Sequence, residues 1–133
     1  MIPQGAAMAV EDGAVLGRLL GLFQSTSAVG MTVTDVLKLY ESLRKSRTTT
    51  SVQGAMSNRK MYHMLDGSEQ VERDAELQKA DYSKPSIFRW LDPEYNKDML
   101  GFDVVMDSEK AFEALELLVS EQEITPSIPN SNL

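Results

Sequence analysis

The sequence contains no cysteine and only one histidine. Without cysteine, the chain has no disulfide, no thiolate nucleophile and no cysteine-ligated metal. A single histidine, His63, also excludes a histidine-based catalytic triad and a metal site with several histidine ligands within one chain. His63 and Asp66 are three residues apart, but a surface histidine near a helix end explains this pair better than a metal site does. We therefore expect no metal in this chain.

The sequence also lacks a long uninterrupted apolar segment of the kind that spans a membrane. Its most apolar stretch, Gly5 to Phe23, is interrupted by three charged residues, and charges within a span are costly. Met1 to Gly5 has no basic residue of the kind that begins a signal peptide. Together with the absence of cysteine, these features favour a cytoplasmic protein.

The net charge of −7 is distributed unevenly over the 133 residues. Residues 1–66 carry seven Lys and Arg against five Asp and Glu, whereas residues 67–133 carry six against fifteen. An acidic second half argues against nucleic acid or an anionic membrane as a partner of the whole chain. We expect the clustered basic residues to form a solvated face or to bind an acidic partner within the protein. These residues are Arg44, Lys45, Arg47, Arg59 and Lys60.

The stretch from Gly5 to Phe23 is apolar on nearly every side of a helical wheel, which is typical of a helix buried in a larger protein. Glycine in a helix interior costs about 1 kcal/mol relative to alanine. We therefore expect a compensating contact, in the form of tight packing against a sheet. The small residues recur at intervals of four and form a ridge, which consists of Gly5, Ala9, Gly13, Gly17 and Gly21.

The rest of the sequence predicts further helices. Thr32 and Asp35 have the spacing of a capping box at the start of the second helix, and the threonine-rich tract Ser46 to Ser51 marks a kink in it. Leu100 to Met106 is an alternative short strand. The later predicted helical segments are residues 52–65, a helix capped by Ser68 that reaches about Lys79, a segment opened by Asp92 and Pro93, and residues 108–120.

These patterns predict a mainly α chain. Its folded part comprises residues 1–120, and residues 121–133, with Pro126 and Pro129, form a disordered tail.

The chain has no glycine-rich phosphate loop, since neither G-x-G-x-x-G nor G-x-x-x-x-G-K-S/T occurs in it. The start of the first helix, at Pro3, Gln4 and Gly5, offers a different type of site. A helix N-terminus has unpaired N–H groups and a partial positive charge. Small residues there, such as Ala6 and Ala7, allow the electron-rich edge of a ligand to reach the backbone.

The segment QGAAMAVEDGAVLGRLL resembles the one that follows the second FAD motif in group A flavoprotein monooxygenases, the salicylate and para-hydroxybenzoate hydroxylase family. LKLYESLRKSRTTTSVQ is similar to the Y-E-x-x-R-x-x-R helix of that family, and DGSEQVERD and RWLDPEYNKDMLGFD are similar to later regions. The resemblance covers most of residues 3–110. It implies that the chain is the helical C-terminal portion of an α/β FAD-binding fold, of the para-hydroxybenzoate hydroxylase type, that lacks its N-terminal dinucleotide-binding sheet.

The resemblance also implies a cofactor site. In that family, N–H groups of this helix stabilise negative charge at N1 and C2=O of the reduced flavin. Glu11 and Asp12 would belong to the supporting helix and not to the chemistry. The implied cofactor-binding residues are Gly5, Ala6 and Ala7 as backbone donors, Gln4 beside the ring and Pro3 near its reactive face.

The implied function is that of a fragment of an FAD-dependent, NAD(P)H-using monooxygenase that hydroxylates an aromatic, salicylate-like substrate. The dinucleotide fingerprint and the Gly-Asp motif of the family are absent, so we expect no activity and weak FAD binding from this chain alone. The alternative is a non-enzymatic helical remnant, either an interaction module or a pseudogene product. That alternative predicts self-association through the apolar helix at residues 5–23.

Overall fold

The computed structural model describes residues 4–124, and every regular element within this range is helical. The prediction of a mainly α chain is therefore confirmed. None of the described helices is long and apolar enough to cross a membrane. The elements are α1 (Gln4–Ser25), α2 (Val33–Tyr62), α3 (Ser68–Gln78), a 3-10 turn (Arg89–Leu91), α4 (Pro93–Leu100) and α5 (Val104–Ile124).

Helix α2 begins at the predicted capping box. The Thr32 N–H donates to Asp35 Oδ2 over 3.0 Å, and the Asp35 N–H donates to Thr32 Oγ1 over 3.3 Å. These reciprocal bonds satisfy two donors that the first turn leaves without helical partners. The helix runs without interruption through Ser46 to Ser51 and ends at Tyr62, before the predicted end at Leu65.

Two predicted helix starts differ from the structure. Gly67 is the N-cap of α3, and Ser68 is its first helical residue, with no side-chain cap. Helix α5 begins at Val104, so the alternative strand at Leu100 to Met106 is not formed. The same helix continues to Ile124, four residues beyond the predicted end, and residues 125–133 of the predicted tail lie outside the described part of the chain.

The chain divides into two compact units. The first unit contains the described residues up to Ser46 and from Val104 on, and the second unit contains Arg47 to Asp103. In the first unit α1 packs along α5, and the beginning of α2 adds apolar side chains to the same core. The buried core residues of this unit are Val15, Leu19, Met31, Val36 and Phe112.

Within the second unit, an arginine of α2 contacts the end of α4. Arg47 donates to the carbonyl oxygens of Asp98 and Met99 at 3.0 and 2.8 Å, which satisfies acceptors at the C-terminal end of α4. Its guanidinium also lies 4.4 Å from the centre of the Phe102 ring, a cation–π contact. Arg47 therefore fixes the end of α4 against α2.

Helix α1 is packed on one side only. Its bulky side chains Val15 and Leu19 are buried, whereas every member of the small-residue ridge is exposed. A Cβ atom built on Gly13, Gly17 or Gly21 meets no atom within 4 Å. The ridge therefore borders open space within the first unit, and no sheet covers it among the described residues.

Replacing a ridge glycine should stabilise the 133-residue chain. We expect Gly17→Ala to raise the free energy of unfolding by roughly 0.5–1 kcal/mol, because alanine has less conformational entropy to lose in a helix. Urea unfolding followed by circular dichroism measures this change. Gly101→Ala is the matched control, since its Cβ would lie 2.7 Å from the Lys97 carbonyl oxygen and should destabilise. A loss of stability in Gly17→Ala would instead mean that the ridge is covered in the folded chain.

The cap of α4 predicts a pH dependence. The Tyr95 N–H and the Ser86 N–H donate to the Asp92 carboxylate over 2.8 and 2.9 Å, and these bonds, led by that of Tyr95, lower the pKa of Asp92 from its ordinary value of 3.8. A lowered folded-state pKa contributes stability above the unfolded value, and this contribution is lost as the pH falls through the folded pKa.

We therefore expect an NMR titration of the Asp92 carboxyl carbon to give a midpoint below 3.8. Asp92→Asn should remove this part of the acid sensitivity of unfolding, because an amide has no charge to lose. A midpoint at or above the ordinary value would contradict the assigned cap.

Candidate functional site

The first turn of α1 is the site that the sequence indicates. Helix α1 begins at Gln4, and Gly5, Ala6 and Ala7 are exposed. A Cβ atom built on Gly5 meets no atom within 4 Å, so the space beside the backbone is open. Pro3 and the side chain of Gln4 lie outside what the structure describes.

The chemistry available at this turn comes from the backbone. The first N–H groups of an α-helix have no carbonyl partner one turn earlier and carry the positive end of the helix dipole. The first turn of α1 contains no acidic residue that would neutralise this end. With side chains no larger than methyl groups at Gly5, Ala6 and Ala7, the turn is suited to an anionic or electron-rich group that approaches the backbone closely.

A buried arginine contacts α1 just beyond this turn. The Arg44 side chain, on α2, is only 4% exposed. Its Nε donates to Asp12 Oδ1 over 2.6 Å, and its Nη2 lies 3.0 Å from Glu11 Oε2. The same Nη2 lies 3.8 Å from the Met8 sulfur. The guanidinium is therefore held by two consecutive carboxylates of α1 and by a side chain one turn before them.

The structure separates the basic cluster into different environments. Arg44 has the internal acidic partners that were one of the two expectations for the cluster. Lys45 is exposed and pairs with Glu41 on the surface over 3.2 Å, and Arg59 and Lys60 are also exposed. The pairing of Arg44 with Glu11 and Asp12 was not predicted from the sequence, although two adjacent acids on a mainly apolar helix were the available signal.

A concave feature lies wholly within the second unit. It is a cleft of about 430 Å³ between the end of α2, the helix α3 and residues 87–89. Met61, Met64 and Phe88 supply apolar lining, and Glu69 and Glu72 supply carboxylates. Sequence analysis did not predict this cleft, because its walls come from three separate segments. Neither in this cleft nor elsewhere do the described residues include a group of three or more His, Cys, Asp or Glu side chains that could hold a metal ion.

Comparison with known proteins provides one informative relative. No family model matches the chain, and no solved structure matches it. The FAD-dependent monooxygenase OpS4 of Beauveria bassiana is 33% identical to it over 115 residues, which cover 83% of this chain. The aligned part is 25% of the relative, so the chain spans about a quarter of the length of that protein. This similarity relates the chain to one part of an FAD-dependent monooxygenase.

Proposed function

We propose that this chain is the C-terminal part of a group A flavoprotein monooxygenase that uses FAD and NAD(P)H and hydroxylates an aromatic, salicylate-like substrate. The observation that carries the proposal is the similarity to an FAD-dependent monooxygenase over 115 residues. The assignment to group A is supported further by the resemblance of the first helix and of the Y-E-x-x-R-x-x-R segment at Tyr40 to Arg47. The described residues 4–124, whose regular elements are all helical, agree with a helical portion of a larger α/β protein.

In this proposal the first turn of α1 faces the pyrimidine edge of the flavin. The backbone N–H groups of Gly5, Ala6 and Ala7 donate to that edge, Gln4 lies beside the ring and Pro3 lies near its reactive face. The described residues fit such a ligand, because the turn is exposed, free of acidic residues and open beside Gly5. Bound FAD supplies the redox chemistry that activates O₂ with electrons from NAD(P)H.

The contribution of this chain is binding and electrostatics. Unpaired N–H groups and the positive end of the helix dipole stabilise negative charge on the nearby edge of the ring. In the resemblance, this edge is where the reduced flavin carries its negative charge. Glu11 and Asp12, one to two turns further along the helix, carry negative charges that have the opposite effect. The buried Arg44 offsets part of their negative charge, since it contacts both carboxylates.

The proposal also predicts that another part of the protein packs on the exposed ridge of α1. Small residues at intervals of four allow a neighbouring backbone to approach closely. Glycines in a helix reduce its stability, so we expect a packing contact on this face to compensate for that loss. In the longer protein we expect a sheet to occupy this face.

The first test is the size and cofactor content of the native protein. An antibody raised to residues 66–81 should detect a band several times heavier than 14.8 kDa in the source organism, and the captured protein should release FAD on denaturation. A native band at 14.8 kDa without flavin would contradict the proposal.

The isolated 133-residue chain should show no NADH-dependent hydroxylation of salicylate and only weak FAD binding, because the ADP-binding motifs are absent. Titration with FAD should shift the amide NMR signals of Gly5, Ala6 and Ala7. Gln4→Glu should weaken this binding roughly tenfold, the effect of about 1.4 kcal/mol of charge repulsion.

Gln24→Glu is the matched control, since it introduces the same charge at the exposed opposite end of α1. It should leave FAD affinity unchanged. Equal weakening by both variants, or signal shifts confined to the cleft of the second unit, would be evidence against the proposed flavin contact. Hydroxylase activity of the isolated chain would contradict the expected inactivity.

The open ridge also favours a second candidate, a non-enzymatic helical remnant that serves as an interaction module. This candidate predicts that α1 finds another chain or a second copy of itself. Size-exclusion chromatography at several concentrations tests the self-association that this candidate predicts. A flavin-free monomer at every concentration would count against self-association, and a concentration-dependent dimer abolished by Gly17→Leu would support it.

A further inference from the structure

We propose that Arg44 is a positioning residue that holds the first turns of α1 in the orientation that the flavin contact requires. This inference rests on the proposed function for its purpose, but its structural part is independent of flavin. The guanidinium contacts Met8, Glu11 and Asp12. With a rise of 1.5 Å per residue, these contacts lie within about 8 Å of Ala7 along the helix axis.

Hydrophobic burial fixes little of this part of the helix. Among residues 5–14, Met8 is the only one that is buried. The buried core contacts of α1 begin at Val15 and continue at Leu19, and both lie beyond the carboxylates. Arg44 therefore anchors the half of α1 that the hydrophobic core does not reach.

The chemistry of the contact makes this anchor specific in position. A buried charge is tolerated only when it is paired and hydrogen-bonded, so displacement of the first turns would be opposed by the separation of a buried guanidinium from two carboxylates. The planar fork of arginine addresses Asp12 through Nε and Glu11 through Nη2. A lysine carries a single point charge and cannot reproduce both directions. The first turns thus have one favoured position relative to α2.

Amide hydrogen exchange of the isolated chain tests this role without flavin. In Arg44→Met we expect the amides of residues 8–13 to exchange at least tenfold faster, with less than a threefold change at Val15 to Leu19. Arg44→Lys should restore part of the protection. Arg18→Met is the matched control, because Arg18 pairs with Glu109 over 2.5 Å at the surface, where its side chain is 44% exposed. It should leave residues 8–13 unchanged.

An equal increase in exchange throughout the first unit would overturn the inference, because it would mean that Arg44 only stabilises the unit as a whole. If Arg44→Met does not fold, Asp12→Asn provides the same comparison, since it removes one of the two carboxylate partners and keeps Arg44. Local acceleration at residues 8–13 in that variant supports the inference, and global acceleration overturns it.

The FAD titration separates this inference from the proposed function. Shifts of the Gly5, Ala6 and Ala7 amides that occur in the parent chain and are lost in Arg44→Met support the positioning role. Equal shifts in both chains overturn that role and leave the flavin contact intact. No shift in either chain contradicts the flavin contact, and the exchange data alone then decide whether Arg44 anchors the helix.

Discussion

A single buried guanidinium governs the position of the N-terminal half of the first helix. The Arg44 side chain is withdrawn from water and contacts the carboxylates of Glu11 and Asp12. Removing both carboxylates would withdraw the acidic partners of a buried guanidinium, and the loss of such partners is among the most destabilising changes in a folded protein. The N-terminal half of α1 has little apolar burial of its own. Its placement therefore depends on this ionic contact to a greater extent than the placement of its C-terminal half.

Helix α2 contributes one arginine to each of the two compact units. Arg44 belongs to the first unit and satisfies carboxylates of α1, while Arg47 belongs to the second unit and satisfies carbonyl groups at the end of α4. Both residues come from the Y-E-x-x-R-x-x-R segment on which the flavoenzyme resemblance partly rests. Each arginine thus has a structural task within its own unit, and neither is required to contact a ligand directly.

The two sides of α1 differ in what they contact. The packed side holds Val15, Leu19 and the ionic contact, whereas the small-residue ridge faces open space. This asymmetry is consistent with a helix that has one set of neighbours within the chain and another set outside it. It also leaves the backbone at the first turn accessible, which is the property that a flavin contact through N–H groups needs.

The sequence by itself determined the local features of this protein. Thr32 and Asp35, and likewise Asp92, mark helix starts because their side chains bond backbone groups only three residues away. The small-residue ridge and the flavoenzyme resemblance are also properties of the sequence alone.

Tertiary structure decided which side of α1 is buried, because an apolar pattern on every side of a helix gives no preferred face. It also decided that Arg44, unlike Lys45, is internal. That distinction depends on contacts with residues 32 and 33 positions away, and these contacts form only when two helices pack.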